Sequence, residues 1–202
     1  MKLFGKLCWL TGCLLFLSLF TGLVSDKMQL QKDLIRLHVV ANSDSDEDQA
    51  IKLQVRDAVT ALLEPAMANM QSKEQAHQYI FENLETIEEA ANKKLQELGV
   101  LDSAIVTLQQ ENFDVRHYDT FSLPAGVYDS LRVSIGEANG RNWWCVVFPS
   151  LCISAASEFQ DMAVSSGFDV DLSNTLTRED GYVLRFYLLD LLGHIENFFC
   201  RK

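Results

Sequence analysis

The hydrophobic period of this chain changes near Ala104, and that change restricts it to folds that combine helices with a sheet. Upstream, Ile51, Val55, Val59, Leu62 and Leu63 recur at helical spacing, as do Tyr79, Ile80, Leu84, Ile87, Ala91, Leu95 and Leu98. Downstream, AIVTLQQEN, LRVSIGE and NWWCVVFP alternate with the period of a strand. One more strand, LIRLHVVA, precedes the helices, with Ile35, Leu37 and Val39 on one face and Arg36 and His38 on the other. The expected fold class is α+β: a mixed or antiparallel sheet of about four strands, covered by two long helices.

Local signals set the expected ends. Ser45 caps the first helix, Asp48 completes a capping box, and the acids of NSDSDEDQ favour its dipole. A calcium loop fits those acids less well, because Gln49 holds the glycine position and Val55 the closing glutamate position. Asp48 lies one turn before Lys52, the spacing of an ion pair. Pro65 is expected to stop this helix. Ser72, with Gln75, opens a second one that runs unbroken to Gly99. Leu123–Gly126 reads as a turn, and Ala138-Asn139-Gly140 as a hairpin joining the last two strands. NWWCVVFP is apolar on both faces, which predicts a central strand or one covered on both sides. Both indole N–H groups then need acceptors.

The N-terminus carries a different signal. MKLFGK is basic, and the 18 residues from 7 to 24 contain no charged side chain. This is the pattern of an export segment, with Lys2 and Lys6 on the cytoplasmic side. Its apolar stretch would reach about 27 Å as a helix, close to a bilayer core. Leu23 spoils the small-residue cleavage pattern at Ser25, so removal as a signal peptide and retention as a membrane anchor both stay open. At the other end, GYVLRFYLLDLLGHIENFF (181–199) reads as an apolar helix behind a polar linker. Arg185, Asp190, His194 and Glu196 make it a poor membrane span, so docking on the domain is expected, with a membrane or partner as the alternative. The expected division is 1–25 export segment, 28–152 α+β domain, and 153–202 linker and C-terminal helix.

The net charge is −11, and Lys2 and Lys6 belong to the export segment. The rest therefore holds 15 of the 17 basic residues against all 28 acidic ones. That balance excludes a nucleic-acid backbone as partner. Cys145, Cys152 and Cys200 follow the export segment, into a compartment where disulfides persist. Six residues between Cys145 and Cys152 suit neither a zinc knuckle nor a CxxC redox site. A Cys145–Cys152 disulfide closing VVFPSL is the expectation, with two buried thiols as the alternative; Cys200 is left over.

No catalytic pattern emerges. The four histidines, His38, His77, His117 and His194, form no HExxH, and there is no GxSxG elbow or phosphate-binding glycine loop. No metal and no cofactor is expected. His38, beside the Asn42–Asp48 segment where strand meets helix, is the one cluster of interest.

Three stretches together resemble one family: IRLHVVANSDSDEDQAIKLQVRDAV (35–59), LPAGVYDSLRVSIGEANGRNWWCVVFPSLC (123–152) and the apolar C-terminal end. Behind a single export segment they resemble stage II sporulation protein R of endospore-forming bacteria. The resemblance covers residues 28 to 152 and extends more loosely to the end. It implies a signalling protein rather than an enzyme, made in the forespore and exported to the space between the forespore and mother-cell membranes. There, family members activate a mother-cell membrane aspartic protease, stage II sporulation protein GA, which cleaves the sigma-E precursor. The resemblance transfers no catalytic residues and names no contact surface. From the residues themselves, the partner-binding candidates are His38, Asn42, Asp44 and Asp48 at the strand-to-helix turn, with Arg132 and Trp144 on nearby strands. The plainer reading is that the aspartates cap, Arg132 pairs with a carboxylate and Trp144 fills core. A secreted hydrolase using His38 with nearby carboxylates, or a cell-envelope binding module, is the alternative function.

Overall fold

The computed structural model describes residues 9–14, 18, 32–117 and 122–149. The expected C-terminal helix, the linker, Cys152, Cys200 and most of the export segment lie outside the described residues. Among the described residues, no helix is long and apolar enough to cross a membrane.

The order is β1 (Ile35–Val40), α1 (Asp46–Met67), α2 (Lys73–Glu82), α3 (Leu84–Glu97), β2 (Ala104–Phe113), β3 (Arg116–His117), β4 (Ser122–Leu123), β5 (Gly126–Ile135) and β6 (Asn142–Phe148). Four strands form a mixed sheet in the order β2-β5-β1-β6, and β3 pairs with β4 separately. β1 runs parallel to β5 and antiparallel to β6, and β2 runs antiparallel to β5. The α+β class and the four-strand mixed sheet are as the sequence implies.

The helices pack against one face of the sheet. Leu37, Val39, Leu131 and Val133 meet Val55, Val59, Leu63, Ile87, Ala91 and Leu95, all 1% exposed or less. Burying each of these side chains contributes about 1.5–3 kcal/mol, alanine less. β1 is buried along its whole length, as a central strand must be.

Four expectations need correction. NWWCVVFP is not central. β6 is an edge of the described sheet, although Cys145 to Phe148 are buried. Ala138–Gly140 is not a hairpin, because β1 inserts between β5 and β6. The link instead ties to the end of β1: the Asn139 and Gly140 N–H groups donate to the carbonyls of Asn42 and Ala41. Pro65 does not end α1, which continues to Met67. Proline in a helix interior costs about 3 kcal/mol. Here only the last turn is affected, and burial of Met67, 1% exposed, offsets that cost. Finally, the second long helix is two helices. Asn83 breaks it with φ −114° and ψ 16°, and its side chain donates to the Tyr79 carbonyl at 2.8 Å. Asparagine competes for backbone groups in this way, and the apolar periodicity runs straight through the break. Gly99 does close the last helix. At φ +72° its N–H reaches Gln96 O while Val100 N–H reaches Leu95 O, a Schellman pair.

Candidate functional site

The six candidate residues fall into two groups. Asn42, Asp44 and Asp48 build the turn between β1 and α1. The Asp48 backbone N–H donates to the Ser45 hydroxyl at 3.1 Å, the cap that was expected. The reciprocal half of the box is replaced. The Asp48 carboxylate accepts from the Ser43 hydroxyl at 2.5 Å and from Asn42 Nδ2 at 3.3 Å, and the Ser45 N–H goes to Ser43 Oγ. The Ser43 hydrogen bond, with those from Asn42 and Ser45, outweighs the slight burial and holds the Asp48 carboxyl below the usual range. No Asp48–Lys52 pair forms; Lys52 Nζ donates to Gln49 Oε1 and the Arg141 carbonyl. Asn42 Oδ1 accepts from the Glu137 N–H, and Asp44 Oδ1 from the Arg141 N–H. This group fastens the β5–β6 link to the end of β1.

Gly140 shows how tightly. A Cβ there would overlap the Ser43 carbonyl oxygen, so only glycine lets the two segments pass.

His38, Arg132 and Trp144 form the second group, on the sheet face opposite the helices. They occupy one row across three strands, with His38 facing Arg132 on β5 and Trp144 on β6. Alternation turns this row away from the core. His38 Nδ1 lies 2.9 Å from Glu111 Oε2, and Nε2 lies 2.8 Å from Asn142 Oδ1. A ring with N–H on both nitrogens satisfies both oxygens at once. Arg132 reaches the other Glu111 oxygen at 2.8 Å and Ser134 Oγ at 3.1 Å. Burial by itself raises the Glu111 carboxyl. Hydrogen bonds from His38 and Arg132, with the His38 charge, outweigh burial and bring it down to about 2.

Aromatic groups wrap this polar row. Trp144 stacks on His38, with ring centroids 5.6 Å apart and planes 18° apart. The Arg116 guanidinium lies 3.6 Å from the Trp144 ring centre. Phe113 meets His38 and Tyr128 edge-on, and the buried Arg36 guanidinium lies 4.0 Å from the Phe113 ring. Trp144 thus stays half-buried between the His38 ring and the Arg116 guanidinium and does not fill core. Trp143 points to the helix side beneath Arg56, and its indole N–H finds no acceptor among the described residues, against expectation.

Glu111, Asn142 and Arg116 were missed by sequence reasoning. Glu111 is one acid among many, and it lies 73 positions from His38. Along β2 it alternates with the core residues Ala104, Val106 and Leu108, on the face away from the helices, and nothing local marks it out. Cys145 is buried and disulfide-bonded. Among the described residues, no group of His, Cys, Asp and Glu is placed to hold a metal ion.

The family model for stage II sporulation protein R matches residues 31–158, a span containing both groups. The stage II sporulation protein R of Bacillus subtilis (strain 168) is 29% identical over 180 residues, which cover 80% of either chain. No solved structure matches this chain.

Proposed function

The chain belongs to the stage II sporulation protein R family, and from that premise we propose that it is an exported signalling protein that switches on a membrane protease. The protease is the mother-cell aspartic protease, stage II sporulation protein GA, and the outcome is cleavage of the sigma-E precursor. The chain works in the space between the forespore and mother-cell membranes, released or held by its N-terminal segment. Family membership supports a role in sporulation. The site supports binding over catalysis.

One observation carries the binding mode: Trp144 is partly exposed and clamped between His38 and Arg116. An aromatic anchor that is already immobilised loses little entropy when a partner covers it. Arg116 lies against its ring, and Arg132 shares its row two strands away. The surface therefore fits a partner segment with an apolar pocket and a carboxylate or carbonyl beside it. The hydrolase reading is disfavoured by His38, both of whose nitrogens are already engaged by Glu111 and Asn142. Activation follows if this surface binds the active state of the protease more tightly than the inactive one.

The test is reconstitution in a non-sporulating host that makes the protease and the sigma-E precursor, with and without this chain exported. Precursor cleavage on an immunoblot is expected only with the exported chain, and is expected to fall at least tenfold with Trp144→Ala. Cleavage without the chain, or its absence with all three proteins correctly placed, would sink the proposal.

A further inference from the structure

The outer edge of β2 is guarded over its first part only. Asn92 Oδ1 accepts from the Ala104 N–H at 2.8 Å, and Asn92 Nδ2 donates to the Ala104 carbonyl at 3.0 Å. Glu88 Oε2 accepts from the Val106 N–H at 2.9 Å. Side chains of α3 thus replace a neighbouring strand there. Strand geometry then points the N–H and C=O groups of Leu108, Gln110 and Asn112 the same way, outward. Among the described residues, no strand or side chain meets them. Gln109, Gln110 and Asn112 are exposed. This stretch has no proline, no lysine and no bulge, the usual guards of an edge strand.

We propose that this edge pairs antiparallel with the same edge of a second copy, in a register centred on Gln110. The argument is one of complementarity. With Gln110 facing its own copy, Leu108 faces Asn112, and every open N–H and C=O of the three residues is used. On the face away from the helices Gln109 stands opposite Glu111 of the other copy, an amide against the rim of a carboxylate that His38 and Arg132 hold in place. The Gln109 amide already reaches Glu111 Oε1 at 3.1 Å within one chain, so the two groups are chemically matched. The neighbouring registers are worse. One sets Glu111 against its own copy, a like-charge pair. The other brings Asn112 against Val106, whose N–H Glu88 already occupies.

Such pairing joins two four-stranded sheets into one of eight about a two-fold axis normal to the sheet. Both Trp144 faces then point the same way.

The experiment uses the full chain, purified in detergent, with association followed by analytical ultracentrifugation. Wild type is expected to dimerise, and both Gln110→Lys and Gln110→Glu to weaken self-association at least tenfold, since each sets like charges directly opposite. Mixing the two variants is expected to restore a mixed dimer. Circular dichroism of each variant reports whether it is folded, and Gln110→Ser serves as an uncharged control expected to remain dimeric. A monomeric wild type would overturn the proposal, as would self-association that persists unchanged in both charged variants. Folded variants that fail to form the mixed dimer would overturn the register.

Discussion

His38 Nδ1 lies 2.9 Å from Glu111 Oε2, and this contact joins the central strand to an edge strand with β5 between them. The same carboxylate holds Arg132 through its other oxygen. Glu111→Gln keeps the shape and removes the charge that Arg132 and His38 face. Its side chain is only 12% exposed, so the expected loss is about 2–3 kcal/mol of stability in urea unfolding at neutral pH. Arg132→Ala should cost less, about 1 kcal/mol, because that side chain is one-third exposed.

The acid limb of the stability curve should carry the signature of Glu111. Its folded pKa is about 2, against an ordinary value of 4.5. Below 4.5 the unfolded chain takes up a proton that the folded chain refuses. The stabilisation is therefore whole above that value and is lost as pH falls toward 2, up to about 3 kcal/mol. Unfolding measured from pH 6 to pH 2 should show a steep fall in wild type and a shallower one in Glu111→Gln. Parallel curves would refute this assignment.

Trp144 should separate binding from folding. Trp144→Ala removes the stacked ring between His38 and Arg116, at a cost of about 1–2 kcal/mol for a half-buried residue. Precursor cleavage in the reconstituted system should drop by far more than that loss explains. Trp144→Phe keeps an aromatic face and should recover much of the signal.

Gly140 and Gly99 form a contrasting pair. Gly140→Ala drives a methyl into the Ser43 backbone, so the β5–β6 link must shift, at an expected cost of about 2–4 kcal/mol. Gly99→Ala meets open space and bears only its positive φ, about 1 kcal/mol. Thermal unfolding of the two variants should preserve this order.

The two aspartates of the turn should behave differently. Asp48→Ala breaks contacts to Ser43 and Asn42 and should lower stability by about 1–2 kcal/mol. Asp44 is two-thirds exposed, and its side chain holds only Arg141. Asp44→Lys should leave stability within about 1 kcal/mol, so unchanged protease activation by this variant would remove the turn from the contact surface.

What was legible in the sequence was local. Ser45 and Asp48, Ser72 and Gln75, and Gly99 at the end of its helix act over a few positions, and both serine caps and the glycine stop appear in the structure. Where a local rule failed, a distant contact had overruled it. Met67 buries itself past Pro65, and β1 occupies the place that the Asn139-Gly140 hairpin required. Asn83 is the exception, a local break that the apolar periodicity hid.

The candidate site divides along the same line. Sequence alone put His38 on the face of its strand opposite Ile35, Leu37 and Val39, because alternation is a property of each strand by itself, and named Arg132 and Trp144 as candidates on nearby strands. It also determined the α+β class, the acidic character and the family. Only the tertiary structure decided that these three share one row, and that Glu111 and Asn142, 73 and 104 positions from His38, complete it. Strand order is set by which pairing buries the most apolar surface across the whole sheet, and no window of neighbouring residues contains that comparison.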